Sequence, residues 1–293
     1  MKRPGYFLIF LSIFIFLFAA SAAAQQIHCP YILADTPDGS FLKNLAGVKT
    51  SVKEAGFEIV GEYHIEQNSA VLAITNEELR KVAAQSKYGA YGAAQRVALT
   101  KRNNQLQLSF TNPVYWGSAY KMGDLSGIST VLKNTLGFKK EFGSEDGLTN
   151  EDLREYHYMI AMPYFEDHNE LATYTSFQEA VAAVEKGLAS GKNGASKVYR
   201  IDMPGKDETV FGVAIKEGDG SDLTVIGNCD ITETFHTAYA PYEILVSGKK
   251  IFSPHGRFRI ALSFPDLSMG TFMQISGAPG DIEDVLTAVA QGK

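Results

Sequence analysis

Gln105-Leu106-Gln107-Leu108-Ser109-Phe110-Thr111-Asn112-Pro113 decides how this chain is read. Leu106, Leu108 and Phe110 fall on one face and Gln105, Gln107 and Ser109 on the other, the period-two alternation of a half-buried strand. The preceding Asn103-Asn104 is turn chemistry, so this strand and Arg96 to Lys101 form a hairpin. Pro113 then starts a helix, where a missing N–H costs nothing. Arg257-Phe-Arg-Ile-Ala-Leu-Ser-Phe264-Pro265 shows the same alternation ending in a proline, and it is the clearest internal match. The pairing predicts that Phe258, Ile260 and Leu262 occupy, in a second copy, the places of Leu106, Leu108 and Phe110.

The elements around the two stretches recur in the same order. In the first copy a strand over Ile27 to Ala34 precedes a helix capped by Ser40, with Phe41, Leu45, Val48 and Val52 at helical spacing and Gly56 at its end. Strands follow over Phe57 to Ile65 and Ala70 to Ile74, then a helix opened by the capping box Thr75 to Glu78. In the second copy a strand over Tyr156 to Met162 precedes a helix capped by Ser176, with Ala180, Val181, Val184 and Leu188 on one face. Strands over 197–203, 208–215, 242–246 and 251–253 complete it. A helix over Leu125 to Leu136 and a charged stretch separate the copies, and a helix capped by Asp281 closes the chain. The expected fold class is α+β, two related units with a sheet and flanking helices, divided as residues 25–137, a linker 138–155, and 156–293.

Val71-Leu-Ala-Ile-Thr-Asn76, a short helix, Arg96-Val-Ala-Leu-Thr, and Gln107-Leu-Ser-Phe-Thr-Asn-Pro113 resemble the bacterial domain-of-unknown-function family 302. That family shows a strand ending in Asn-Pro, a helix, and a hairpin ending in Asp-Pro or Asn-Pro. Val225-Ile-Gly-Asn-Cys229, Tyr242-Glu-Ile-Leu-Val and Arg259 to Pro265 are similar but depart from the pattern, with Phe264-Pro265 in place of the closing Asp-Pro. The resemblance implies a curved antiparallel sheet of the TATA-binding-protein-like type in each unit, and dimerisation. It implies no activity.

The N-terminus carries Lys2 and Arg3, then an almost wholly apolar run from Tyr6 to Ala20, then small residues to Ala24. This is the pattern of a secretory signal peptide, residues 1–24, cut before Gln25. The alternative is an uncleaved anchor, for which the run falls short of the roughly 20 residues a spanning helix needs. The expected location is therefore periplasmic or secreted, with no stable membrane insertion after cleavage. An apolar fraction of 45% and a charged fraction of 20% are those of a globular protein. A net charge of −6 argues against nucleic acid or an anionic membrane as partner. Cys29 and Cys229 are the only cysteines. In an oxidising compartment they are expected to form one disulfide, with two buried free thiols as the alternative.

None of the six histidines sits in a zinc or c-haem arrangement, and no metal or cofactor is expected. His28-Cys29 with Cys229-Asp230 and His236 would make a soft metal site only if the cysteines met without bonding. No Gly-x-Ser-x-Gly elbow or P-loop is present. His64 and His157 each follow a tyrosine, Tyr63 and Tyr156, on an expected strand. These four residues are the candidate ligand site, facing each other across a cleft between the units. A polar strand face is the plainer alternative. The functional expectation is an exported binding or structural protein of the cell envelope, its partner a small ligand or an envelope protein. The alternative is a thiol-dependent redox enzyme or small hydrolase.

Overall fold

The computed structural model describes residues 26–36, 38–230 and 233–293. The expected signal peptide, residues 1–24, lies outside them. After two short strands, β1 (Ile27–His28) and β2 (Tyr31–Leu33), comes helix α1 (Phe41–Glu54). The Ser40 hydroxyl accepts from the Lys43 amide at 3.3 Å, and Phe41, Leu45, Val48 and Val52 bury one face. Burial of each such side chain contributes roughly 1.5–3 kcal/mol. Strands β3 (Glu58–Glu66) and β4 (Ser69–Thr75) follow, then α2 (Glu77–Ala84), capped by the Asn76 side chain. In the hairpin of β5 (Gln95–Arg102) and β6 (Gln105–Thr111), Asn103 and Asn104 take left-handed φ values of 49° and 62°. Two successive left-handed residues let a tight turn follow the strand twist. Helices α3 (Pro113–Ala119) and α4 (Ser126–Leu136) come next, then β7 (Lys140–Phe142), β8 (Leu148–Thr149) and α5 (Asn150–Arg154).

The second half runs β9 (Asn169–Thr173), α6 (Phe177–Ser190), β10 (Ala195–Asp202), β11 (Glu208–Ile215) and α7 (Asp222–Cys229). It finishes with β12 (Tyr242–Ser247), β13 (Lys250–Ser253), α8 (Gly256–Ser263), α9 (Met269–Gln274) and α10 (Ala278–Ala290). The class is α+β, with every strand pairing antiparallel. The first sheet has the order β3-β4-β5-β6-β2-β7 and the second β10-β11-β12-β13-β9, with β1 and β8 as a separate ribbon. The first five strands of one sheet are thus threaded as the five of the other.

Three expectations are corrected. Arg257 to Phe264 is not a strand: it forms helix α8, capped by His255, whose Nδ1 accepts from the Arg257 amide at 3.1 Å. Phe258, Arg259, Ile260, Ala261 and Leu262 are all buried, and a helix buried on every side carries no 3.6-residue stripe to contradict an apparent alternation. The hairpin strand at the place of β6 is β13, and α8 stands where α3 does. Tyr156 to Met162 is a loop in which Ile160 is 92% exposed, while the edge strand of the second sheet is β9. The third correction concerns the charged stretch, whose β7 pairs with β2 at the edge of the first sheet.

The halves meet closely. β3 packs against β10, and a Cβ on Gly61 would stand 2.3 Å from the Val198 carbonyl oxygen, so only glycine fits there. Contacts are also exchanged. The turn Gly89–Gly92 lies on β11 and β12, and the turn Thr237–Tyr239 lies on β4, β5 and β6. Between the sheets the fully buried Glu243 of β12 accepts from Arg259 Nε at 3.0 Å and pairs with Arg96 of β5.

Candidate functional site

A cavity of about 510 Å³ opens where the β7 strand and its following loop meet the segment after α7 and the turn after α8. Leu33, Phe142, Phe264 and Leu267 supply apolar walls, and Cys229 and His236 also line it. His236 is held on several sides. Its Nδ1 lies 2.8 Å from Asp230 Oδ1, which also accepts the His236 amide at 2.9 Å. Asp230 Oδ2 accepts from Arg102 Nη1 at 3.1 Å. A carboxylate only accepts, so Nδ1–H donates to Asp230, and in the neutral ring Nε2 is the acceptor. The ring sits among Tyr31, Phe142 and Phe264, at centroid distances of 5.4, 5.4 and 5.3 Å.

Gly143 makes room for that ring. Its φ of +99° is a conformation side chains avoid, and a Cβ there would come within 2.8 Å of Pro30 and 3.3 Å of His236 Nε2. The next residue ties the halves together: Ser144 Oγ donates to Asp266 at 2.9 Å, and the Glu145 amide donates to the same carboxylate at 2.6 Å. Glu141 accepts from the Cys29 amide at 2.9 Å and from Asn112 Nδ2 at 2.8 Å. Burial works against its charge, but His28, the Cys29 amide and Lys133 outweigh burial and hold its carboxyl below the ordinary range. Glu141, Glu145, Glu233 and Asp266 line the cavity against one cation, Lys140, so the lining is acidic.

Both cysteines are free thiols, which corrects the expected Cys29–Cys229 disulfide. Cys229, at the end of α7, is drawn into the apolar core of the second half, while Cys29 is pinned between β1 and β2, its thiol donating to the Ser144 carbonyl. Burial, with Asp230 beside it, pushes the Cys229 thiol up to about 12, and burial with Glu141 also raises Cys29. Among the described residues, no group of three or more His, Cys, Asp or Glu side chains is placed to hold a metal ion. None of their helices is long and apolar enough to cross a membrane.

The four residues expected to form the site do not gather. His64 is exposed on β3 and pairs with Glu62 at 2.9 Å, and Glu62 also takes Lys49. His157 is half-buried in the loop after α5, its ring tilted against Tyr164 at a centroid distance of 4.4 Å. Tyr63 reaches into the core of the second half, and the Tyr156 hydroxyl donates to the Ala261 carbonyl at 3.0 Å. The residues that do converge, Asp230 and His236, were visible only as part of a conditional metal set. A spacing of six residues across a loop is no motif, and nothing in the sequence marks Phe142, Phe264 or Asp266 as site residues. No protein-family model, curated protein or solved structure matches this chain.

Proposed function

We propose that this chain is an exported binding protein of the cell envelope whose small ligand enters the cavity beside His236. The observation that carries this reading is the His236 ring, fixed by Asp230 and three aromatic rings at the wall of a 510 Å³ cavity. Pockets of this size with an apolar lining and a few oriented polar groups suit small molecules. An acceptor nitrogen and an acidic lining favour a ligand with an apolar body and an N–H or cationic group. Export is supported by the basic start and apolar run before Ala24. The matching order of the two five-strand sets supports a duplicated unit as the origin of the architecture. A thiolate-based enzyme is disfavoured, since burial keeps the Cys229 thiol protonated at neutral pH.

N-phenyl-1-naphthylamine, an apolar fluorophore with one N–H donor, tests the reading. Its emission should rise on binding to the wild-type protein. Leu33→Trp, which blocks the cavity from the half-buried end of β2, should abolish the rise without lowering the melting temperature appreciably. His236→Phe should weaken binding about tenfold, equivalent to roughly 1.4 kcal/mol. Equal emission from wild type and Leu33→Trp would place the dye elsewhere and sink the proposal.

A further inference from the structure

Between the sheets lies a second polar centre, unconnected with the cavity chemistry above. Arg96, Glu243 and Arg259 are all buried, at 2%, 0% and 0% exposure. Two guanidiniums face one carboxylate, so one positive charge in the core has no carboxylate of its own to pair with. Both cations also stack on the same indole: the Arg259 and Arg96 guanidinium carbons lie 4.7 and 5.5 Å from the Trp116 ring centre. Arg259 spends its donors on Glu243, on the Tyr239 carbonyl at 2.8 Å and on Ser263. Arg96 does not, because its buried Nε–H has no partner. The buried hydroxyls of Tyr120 and Tyr199 have none either. Both lie within electrostatic reach of both guanidiniums, and burial keeps each phenol protonated as a donor. The next buried acid, Asp222, accepts from the Ile215 amide at 2.9 Å and from the Tyr63 hydroxyl.

An unpaired donor in a dry core costs about 1–3 kcal/mol, and an unbalanced charge costs more. Water would serve the donors but would leave the charge. We propose that the core between the halves holds one chloride-sized monovalent anion, taken up by Arg96 Nε–H and the hydroxyls of Tyr120 and Tyr199. One negative charge with several acceptor directions answers both the surplus cation and the three unpartnered donors. It also joins donors from the first half, Arg96 and Tyr120, to Tyr199 from the second.

The full mature chain is desalted into sodium gluconate and then unfolded in urea, and released chloride is measured by ion chromatography. Melting temperature is followed in parallel as gluconate is replaced by chloride at constant ionic strength. The expected result is either about one chloride released per chain or a saturable rise in melting temperature with chloride. Tyr120→Phe should shift that saturation to at least tenfold higher chloride, with Tyr199→Phe as the substitute if the first variant does not fold. No released chloride together with equal melting temperatures in both salts would overturn the proposal, an outcome that leaves water alone in the core.

Discussion

Replacing Glu243 by glutamine tests whether the buried ion triad organises the junction between the halves. Glu243 is inaccessible to solvent and accepts from Arg259 Nε at 3.0 Å, from Arg259 Nη2 at 3.3 Å and from Arg96. Glutamine has nearly the same shape but keeps one acceptor oxygen and turns an NH₂ group toward two guanidiniums. Removing one partner from a buried ion pair costs about 3–5 kcal/mol, because the remaining charge is stranded. For a chain of this size that corresponds to a fall in melting temperature of about 5–9 °C. Urea unfolding followed by the fluorescence of Trp116, which stacks on both arginines, reads the change as a lower midpoint at unchanged slope. Glu77→Gln, which breaks an exposed pair with Lys81 on α2, should leave the midpoint in place. Changing Arg96, Glu243 and Arg259 together to methionine should recover most of the loss, since no charge is then left unpaired. A loss below about 1 kcal/mol for Glu243→Gln would refute a buried triad in which Glu243 holds both guanidiniums.

Three further outcomes are expected. Mature protein unfolded without reductant should titrate as two thiols, and finding no thiol on unfolding would restore the disulfide. Asp222 is fully buried and burial pushes its carboxyl up to about 7, so in the folded chain it stays protonated where the unfolded chain has lost its proton. The folded state then binds more protons, and the Asp222 contribution falls between about pH 4 and pH 7 and is flat above, by roughly 4 kcal/mol at most. The stability difference between wild type and Asp222→Asn, measured by urea titration across that range, should decline with pH, and a constant difference would refute the assignment. N-terminal sequencing of exported protein should begin at Gln25, and recovery of Met1 in a membrane fraction would refute cleavage.

The sequence showed most of the fold because its local signals are physical. Ser40 and Ser176 do cap helices whose buried faces match the expected spacing, and Asn103-Asn104 does turn a hairpin. It misled where a segment is buried on all sides. In α8 every residue from Phe258 to Ser263 is buried, so polarity alternates by accident, and only the His255 cap marks a helix. It also misled over Tyr156 to Met162, the stretch expected to be a strand, which contains Tyr156 and Tyr158. Their hydroxyls donate to the Ala261 and Leu267 carbonyls from a loop, a role set by distant chain segments. The site was less legible still. His236 is made useful by Asp230 from its own loop, by Phe142 from β7 and by Phe264 beyond α8, and no local pattern encodes such a meeting.

The centre of the molecule shows why the two halves differ where they touch. Arg96 is the second residue of β5 and Glu243 the second of β12, the middle strands of the shared five-strand order. Trp116 and Arg259 are each the fourth residue of α3 and α8. Equivalent positions therefore face each other, and in each pair one partner is cationic and the other is its complement, a carboxylate or an aromatic face. Two first halves brought together in this way would set Arg96 against Arg96 with no carboxylate between them, whereas in the second half Glu243 keeps Arg259 of its own half as a partner. Like charges in a dry core cost several kcal/mol, and removing that penalty requires opposite residues at the two positions. A single chain allows opposite residues there, because each position is encoded separately. The complementary pairs thus favour the pairing of unlike halves within one chain over the symmetric association of the first half with itself.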